Sequence, residues 1–182
     1  MTHTDADRIA AKQLRDIPLS VLDLSPIVQG SVPADSFRKS LDLAKHAEKW
    51  GFERFWLAEH HNSDSLASSA PEVTAAYVAA QTERIRVGTG GVMMMHYSPL
   101  KIAEVFKTLS GLAPGRIDFG AGRAPGGDMA AMVALASGQR PYVDEQYDKM
   151  ETILRMIADK PTGEEVYDAV LATPTHIHLP ES

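Results

Sequence analysis

The run Ile85-Arg-Val-Gly-Thr-Gly-Gly-Val92 decides the fold. It opens as a strand, with β-branched residues at alternate positions, but it closes on glycines at 88, 90 and 91. Glycine weakens a strand unless another backbone or a ligand must come close, so this end predicts a bulge or a bound molecule. Tight packing between strand and helix is the competing explanation for the same glycines. On both sides of the run the apolar spacing changes from strand-like to helical. Upstream, Ser69 and Glu72 form a candidate capping box before a face of Val73, Ala76, Tyr77 and Ala80. Downstream, Ser98-Pro99 opens a helix with the face Ile102, Val105, Phe106 and Leu109, which Pro114-Gly115 ends.

The alternation extends in both directions. Strand-length apolar runs occur at Leu19–Leu24, Phe55–Leu57 and Ile117–Phe119. A helix between the first two carries Phe37, Leu41, Ala44 and Ala47, with Pro33 in its first turn and Gly51 at its cap. A later helix carries Tyr147, Met150, Ile153, Leu154 and Ile157; Val166–Leu171 has helical character, and Thr175–Leu179 is a candidate fifth strand. Strands alternating with helices of this length predict parallel βαβ units and an α/β fold. Eight such units need about 250 residues, and this chain has 182. The chain therefore forms either an open doubly wound parallel sheet or part of a closed barrel, since its length cuts against a complete one. Its layout is a flexible lead-in over residues 1–17, βα units over 18–160 and a weakly structured segment over 161–182.

Composition narrows the function classes. The chain is 44% hydrophobic and 23% charged with a net charge of −6, which disfavours nucleic acid as a partner. It has no cysteine, so disulfides, thiolate metal sites and cysteine nucleophiles are excluded; this fits a reducing cytoplasm. No apolar run approaches a membrane span, and Met1–Arg15 is too polar for a secretory signal.

Parallel βα folds bind ligands at the carboxyl ends of their strands. In this chain those ends carry Asp23-Leu-Ser-Pro26, Glu59-His-His-Asn62, Gly88-Thr-Gly-Gly-Val92 and Gly120-Ala-Gly-Arg-Ala-Pro-Gly126. His60 and His61 point to opposite faces, so one ring faces the cavity as an acid or base, against the alternative of a structural histidine held by Glu59. Gly120-x-Gly122 lacks the spacing of a dinucleotide fingerprint. Arg123 suits a phosphate or a ring carbonyl, or else a surface ion pair. His176-x-His178 has the spacing of a metal pair without a further ligand set, and Met93-Met-Met95 reads as core filler or a loose binding wall.

Five stretches carry a resemblance: Leu19-Ser-Val-Leu-Asp-Leu-Ser25, Ala47-Glu-Lys-Trp-Gly51, Phe55-Trp-Leu-Ala-Glu-His-His61, Ile85-Arg-Val-Gly-Thr-Gly-Gly-Val92 and Gly115-Arg-Ile-Asp-Phe-Gly-Ala-Gly-Arg-Ala-Pro-Gly126. In this order and spacing the chain resembles the bacterial luciferase-like monooxygenases, in particular their single-component members related to alkanal monooxygenase. The resemblance implies a parallel TIM-like βα barrel, truncated to about its first half, binding reduced FMN, which with molecular oxygen oxidises a small organic substrate such as an aldehyde; a flavin reductase would supply the reduced flavin. It implies His60 as the catalytic histidine, with Asp23, His61, Gly90, Gly91, Val92 and Arg123 at the cofactor. Gly90–Gly91 matches a non-proline cis peptide beneath the flavin ring. It further implies a homodimer through the helices after the second and third strands, where Ala75, Ala76, Ala79 and Ala80 permit close approach. Met95-His-Tyr97 departs from the family's usual run. Rival readings are a non-catalytic flavin-binding protein, a deazaflavin-dependent oxidoreductase on the same fold and a metal-dependent hydrolase using His176 and His178.

Overall fold

Strands and helices alternate along β1 (Ser20–Asp23), α1 (Pro33–Lys49), β2 (Arg54–Leu57), α2 (Pro71–Ala79), β3 (Arg86–Thr89) and β4 (Val92–Met93). They continue through α3 (Pro99–Leu112), β5 (Ile117–Asp118), β6 (Ala121–Gly122), α4 (Met129–Leu135), α5 (Gln146–Ile157) and the single turn α6 (Glu165–Asp168). This is a computed structural model, which describes residues 17–138 and 146–180. The expected N-terminal lead-in lies almost wholly outside the described residues.

The main sheet has the order β1-β2-β3-β5 with every pair parallel. A doubly wound sheet reverses its order at a switch point, whereas a βα barrel adds each strand beside the last. The observed order is the barrel's. One core accounts for the helices: Phe55, Val87 and Ile117 point from the sheet into a layer of α1, α2, α3 and α5, meeting Ala44, Val78, Phe106 and Ile153. Small residues at Ala44, Ala47, Ala75 and Ala79 let α1 and α2 lie close to the strands. The alternate layer, in register as Leu22, Trp56, Gly88 and Asp118, faces the other way, toward the concave side of the arc. Leu22 is 54% exposed there.

Two strand readings divide in the structure. The expected strand Ile85–Val92 breaks after Thr89; the Gly90–Gly91 peptide is cis, and β4 then pairs with β6 in a separate parallel ladder. The expected strand Ile117–Phe119 likewise continues as β5 and then β6. The cause is backbone proximity: a Cβ on Gly91 would lie 2.7 Å from the Ala121 carbonyl carbon and 2.8 Å from Gly120 O and Gly122 N.

Helix starts follow proline. α1, α2 and α3 begin at Pro33, Pro71 and Pro99, whose fixed φ and missing N–H suit the first turn. Gly51 takes the left-handed φ of +82° expected after α1. The Ser69–Glu72 capping box does not form. Ala70 is the N-cap with no side-chain bond, because Pro71 sets the first turn one residue beyond the serine. The apolar face expected on α2 is also rotated: Thr74, Ala75, Val78 and Ala79 are buried, while Val73 is 65% and Tyr77 40% exposed. Alanine and valine occupy both sides of this short helix, which leaves periodicity little to distinguish.

Thr175–Leu179 forms no strand. His176 has φ +61° and donates its N–H to Asp159 Oδ2 at 3.0 Å, so the segment wraps the end of α5. No helix among the described residues is long and apolar enough to cross a membrane.

Candidate functional site

At the carboxyl ends of β1–β3 lies an open hollow of about 300 Å³, lined by Leu22, Trp56, Thr89, Gly90, Gly91, Gly120 and Ala121. Its floor is backbone. Trp56 occupies the concave face because two neighbours lack side chains. A Cβ on Gly88 would sit 2.7 Å from the indole Cζ3, and one on Gly120 3.3 Å from it. Thr89 is buried and locks the two strand ends, donating from Oγ1 to Gly120 O at 2.9 Å while Gly120 N–H reaches back at 3.3 Å. Gly90 is exposed in the hollow, and a Cβ there would come within 3.1 Å of both Leu22 Cδ1 and Trp56 Cβ.

These glycines therefore have two duties. At Gly91 and Gly120 any side chain would strike backbone, which is the packing explanation. At Gly90 the missing side chain leaves open space above a peptide, between an aliphatic and an indole wall, which is the ligand explanation. The volume is at the low end for a small-molecule site and suits a flat fused ring rather than a whole nucleotide. Arg123 follows β6 directly and is exposed. Its Nη1 donates to the Tyr147 hydroxyl at 2.7 Å, and its guanidinium carbon lies 5.2 Å from that ring's centroid. An exposed guanidinium beyond the glycine ends suits a phosphate or a ring carbonyl. The residues fit a flavin.

Directly after β2 the chain presents Glu59, His60 and His61 in alternation. His60 donates its backbone N–H to Ser68 O at 2.8 Å, while its ring makes only a 3.5 Å contact from Nδ1 to Ser68 Oγ among the described residues. It is therefore loosely held and half-buried. His61 is firmly held: its Nε2 lies 2.7 Å from Glu59 Oε1, and its ring meets His96 edge-on at 5.7 Å. Glu59 has no exposed surface. It also accepts from Tyr97 Oη at 2.6 Å and from Met93 N–H at 2.8 Å. Burial first, then the bond to Glu59 and that carboxylate's charge, push the Tyr97 phenol far above its ordinary value, so it remains a neutral donor. Burial, assisted by the charge of Glu59, also raises Glu72.

Of the expected site residues only Gly90 and Gly91 line the hollow; His60 and Arg123 are not among its lining residues, and Asp23, Val92 and His61 are engaged elsewhere. Asp23 is buried, and its carboxylate accepts from Ser25 N–H at 3.0 Å and Ser25 Oγ at 3.3 Å, shaping the turn after β1; Leu22 is the β1 residue that reaches the hollow. The Val92 side chain points into the core and lines a small pocket with Glu72, Tyr97 and Phe106 on the helix side. His61 is turned into the Glu59 cluster. Strand residues alternate, so Asp23 faces away from the hollow beside Leu22; Val92, two residues past Gly90, lies beyond the break after Thr89 in β4, where the alternation of β3 no longer applies. Trp56, Leu22 and Gly120 were the residues missed. Reading the strands side by side at a two-residue period would have placed all of them on one face. His176 and His178 bind Asp159 and the Ile157 carbonyl, and no group of three or more ligand-type residues able to hold a metal occurs among the described residues.

The profile of a family described as luciferase-like monooxygenase matches residues 18–173. N-acetyl-S-alkylcysteine monooxygenase of Bacillus subtilis (strain 168) is 48% identical over 143 residues, covering 79% of this chain and 43% of its own length. The crystal structure of apo-MsnO8 superposes with a TM-score of 0.81 at 41% identity, over 90% of this chain and 48% of that one. The chain spans half the length or less of the curated relatives it matches. More distant likenesses concern the fold alone. They include the oxygenating constituent of 3,6-diketocamphane monooxygenase from Pseudomonas putida in complex with FMN, with a TM-score of 0.69 at 16% identity, covering 90% of this chain and 50% of that one. They also include a coenzyme F420-dependent tetrahydromethanopterin reductase from Methanopyrus kandleri, with a TM-score of 0.56 at 21% identity, covering 91% of this chain and 46% of that one.

Proposed function

Since the chain belongs to the luciferase-like monooxygenase family, we propose that it forms the flavin-ring platform of an FMN-dependent monooxygenase acting on a small organic substrate such as an aldehyde. The observation that carries this reading is the hollow over Gly90, walled by Leu22 and Trp56. Reduced FMN supplies the electrons that activate molecular oxygen, and a flavin reductase delivers it in that form. The chain's own residues bind and orient. Gly90 and Gly91 offer a surface without side chains, Trp56 and Leu22 exclude water from one side of the ring, and Arg123 donates to its anionic or carbonyl oxygens. His60, loosely held beside the strand ends, holds or moves a proton during the reaction. A homodimer would use the outer groove between α2 and α3, where Val73, Ala76 and Leu112 are presented and Val73 and Leu112 are 65% and 71% exposed. The Ala76→Arg variant places a charge in that groove and should shift sedimentation from dimer toward monomer; an unchanged profile counts against this interface.

The test of the flavin reading is an FMN titration of the full chain followed by tryptophan fluorescence. The chain has two tryptophans, so Trp50→Phe leaves Trp56 as the sole reporter. A ring against the indole quenches it. Saturable quenching supports the platform; no quenching at millimolar FMN removes it.

A further inference from the structure

Glu59 is a carboxylate with no exposed surface, and the flavin reading gives it no task. Its partners define one. Three donors converge on its two oxygens: Tyr97 Oη and His61 Nε2 on Oε1, at 2.6 and 2.7 Å, and Met93 N–H on Oε2 at 2.8 Å. An ionised carboxylate only accepts, so His61 must carry its proton on Nε2, which leaves the Nδ1 lone pair free in the neutral ring. The other contacts of His61 run to the loop after β6. Its backbone N–H donates to Gly126 O at 2.7 Å, and its atoms lie so close that a Cβ on Gly127 would sit 3.2 Å from His61 Cβ. His96, edge-on to His61, donates from Nε2 to the neighbouring carbonyl of Pro125 at 2.7 Å. The loop held in this way is the one that carries Arg123.

From this geometry we infer that Glu59 is a positioning residue: it sets the tautomer and orientation of His61 and, through His61 and His96, the loop that presents Arg123 to the cofactor. The cofactor half of the inference rests on the flavin reading above. The tautomer half does not.

The donor count supplies a test that a merely structural role would not move. A glutamine has one acceptor oxygen and one amide donor. In Glu59→Gln the single amide oxygen must face Met93 N–H, which can only donate, so the NH2 faces Tyr97 and His61; the phenol accepts by rotating its O–H, and His61 accepts only by moving its proton to Nδ1. Ring nitrogen NMR of the full chain, above the pH at which histidine titrates, reads this directly. The unaltered chain should show His61 protonated on Nε2. Glu59→Gln should show it on Nδ1, and Tyr97→Phe, which keeps the carboxylate, should leave it on Nε2. Removing the phenol also relieves the crowding of donors, so Glu59→Gln/Tyr97→Phe serves if the single variant folds poorly. FMN affinity should fall about tenfold in Glu59→Gln, about the worth of one supporting hydrogen bond. Arg123→Ala should weaken binding too, and the double variant should be little worse than Arg123→Ala alone.

His61 protonated on Nδ1 in the unaltered chain overturns the inference without any variant. FMN affinity unchanged in Glu59→Gln but weakened in Arg123→Ala overturns the link to the loop. Absence of FMN binding by the unaltered chain overturns the proposed function instead, and the ring signature alone then decides whether Glu59 sets the tautomer.

Discussion

The ammonium of Lys107, on α3, has no exposed surface, and it meets the carboxylate of Asp159 just beyond α5. The same carboxylate accepts the backbone N–H of His176 at 3.0 Å, so one aspartate ties α3, α5 and the segment after α6 together. Removing one partner of such a pair leaves the other charge uncompensated. Asp159→Ala should therefore lower stability by about 3 kcal/mol, the lower end of the range because Asp159 is reached by water. Lys107→Met/Asp159→Asn, which removes both charges and keeps the volume, should recover most of the loss. Urea denaturation of the three chains checks this; equal losses in the single and double variants would contradict it.

Glu48 joins the end of α1 to the turn before β3. Its Oε1 accepts the backbone N–H groups of Glu83, Arg84 and Ile85 at 2.9, 2.6 and 2.9 Å. Desolvation opposes ionisation, but these three amides outweigh it and hold the carboxyl below its ordinary value. A depressed carboxylate contributes stability above its unfolded pKa of 4.5 and loses it as pH falls through the folded value. Glu48→Ala should lower stability at neutral pH by about 1.5 kcal/mol, in line with a hydrogen-bonded charge near water. The difference from the unaltered chain should narrow below about pH 4. Thermal melts at pH 7 and pH 3.5 measure it, and a gap that widens on acidification would refute the assignment.

Much of the arc was legible in the sequence, for local reasons. Pro33, Pro71 and Pro99 mark helix starts because their φ is fixed, and Gly51 marks an end because it needs a positive φ. Regular alternation of strand and helix predicted a parallel sheet, and the family resemblance distinguished a barrel from a doubly wound order. What resisted reading depended on neighbours far along the chain. Trp56 reaches the hollow because Gly88 and Gly120 vacate the space beside it, from 32 and 64 residues away in sequence. The split at Gly90 depends on the backbone of residues 120–122, and the Glu59 cluster needs Met93 and Tyr97. On α2 the alanines gave too little contrast to orient the helix, so Ala75 and Ala79 face the sheet while Ala76 faces the groove.

Glu72 should make stability depend on pH in the opposite sense from Glu48. Burial, with the nearby charge of Glu59, raises its pKa above the ordinary 4.5. A raised carboxyl contributes fully while protonated in both states, below about 4.5, and loses that contribution as pH rises through the folded value. Glu72→Gln removes the titration. Its melting temperature should exceed that of the unaltered chain at pH 7, with the two converging toward pH 4. A lower melting temperature at pH 7 would show instead that ionised Glu72 is favourably paired.

The two duties of the glycines can be separated by two alanines. At Gly120 a Cβ would lie 1.9 Å from Thr89 O, an overlap of backbone with backbone. No rotamer relieves it, and parting the strands breaks the Thr89–Gly120 hydrogen bonds and the β4–β6 ladder. Gly120→Ala should lose 3 kcal/mol or more, roughly the upper range for overpacking. At Gly90 the nearest atoms are 3.1 Å away, and one of them belongs to Leu22, which is largely exposed and free to turn aside. Gly90→Ala should therefore lose less than about 1 kcal/mol. Its methyl group would nevertheless stand in the hollow where a flat ring must rest, so FMN affinity should fall at least tenfold, about 1.4 kcal/mol or more in binding. Denaturation and FMN titration of the same preparations give both numbers. If Gly90→Ala folds and binds FMN as tightly as the unaltered chain, the ring does not lie over this peptide.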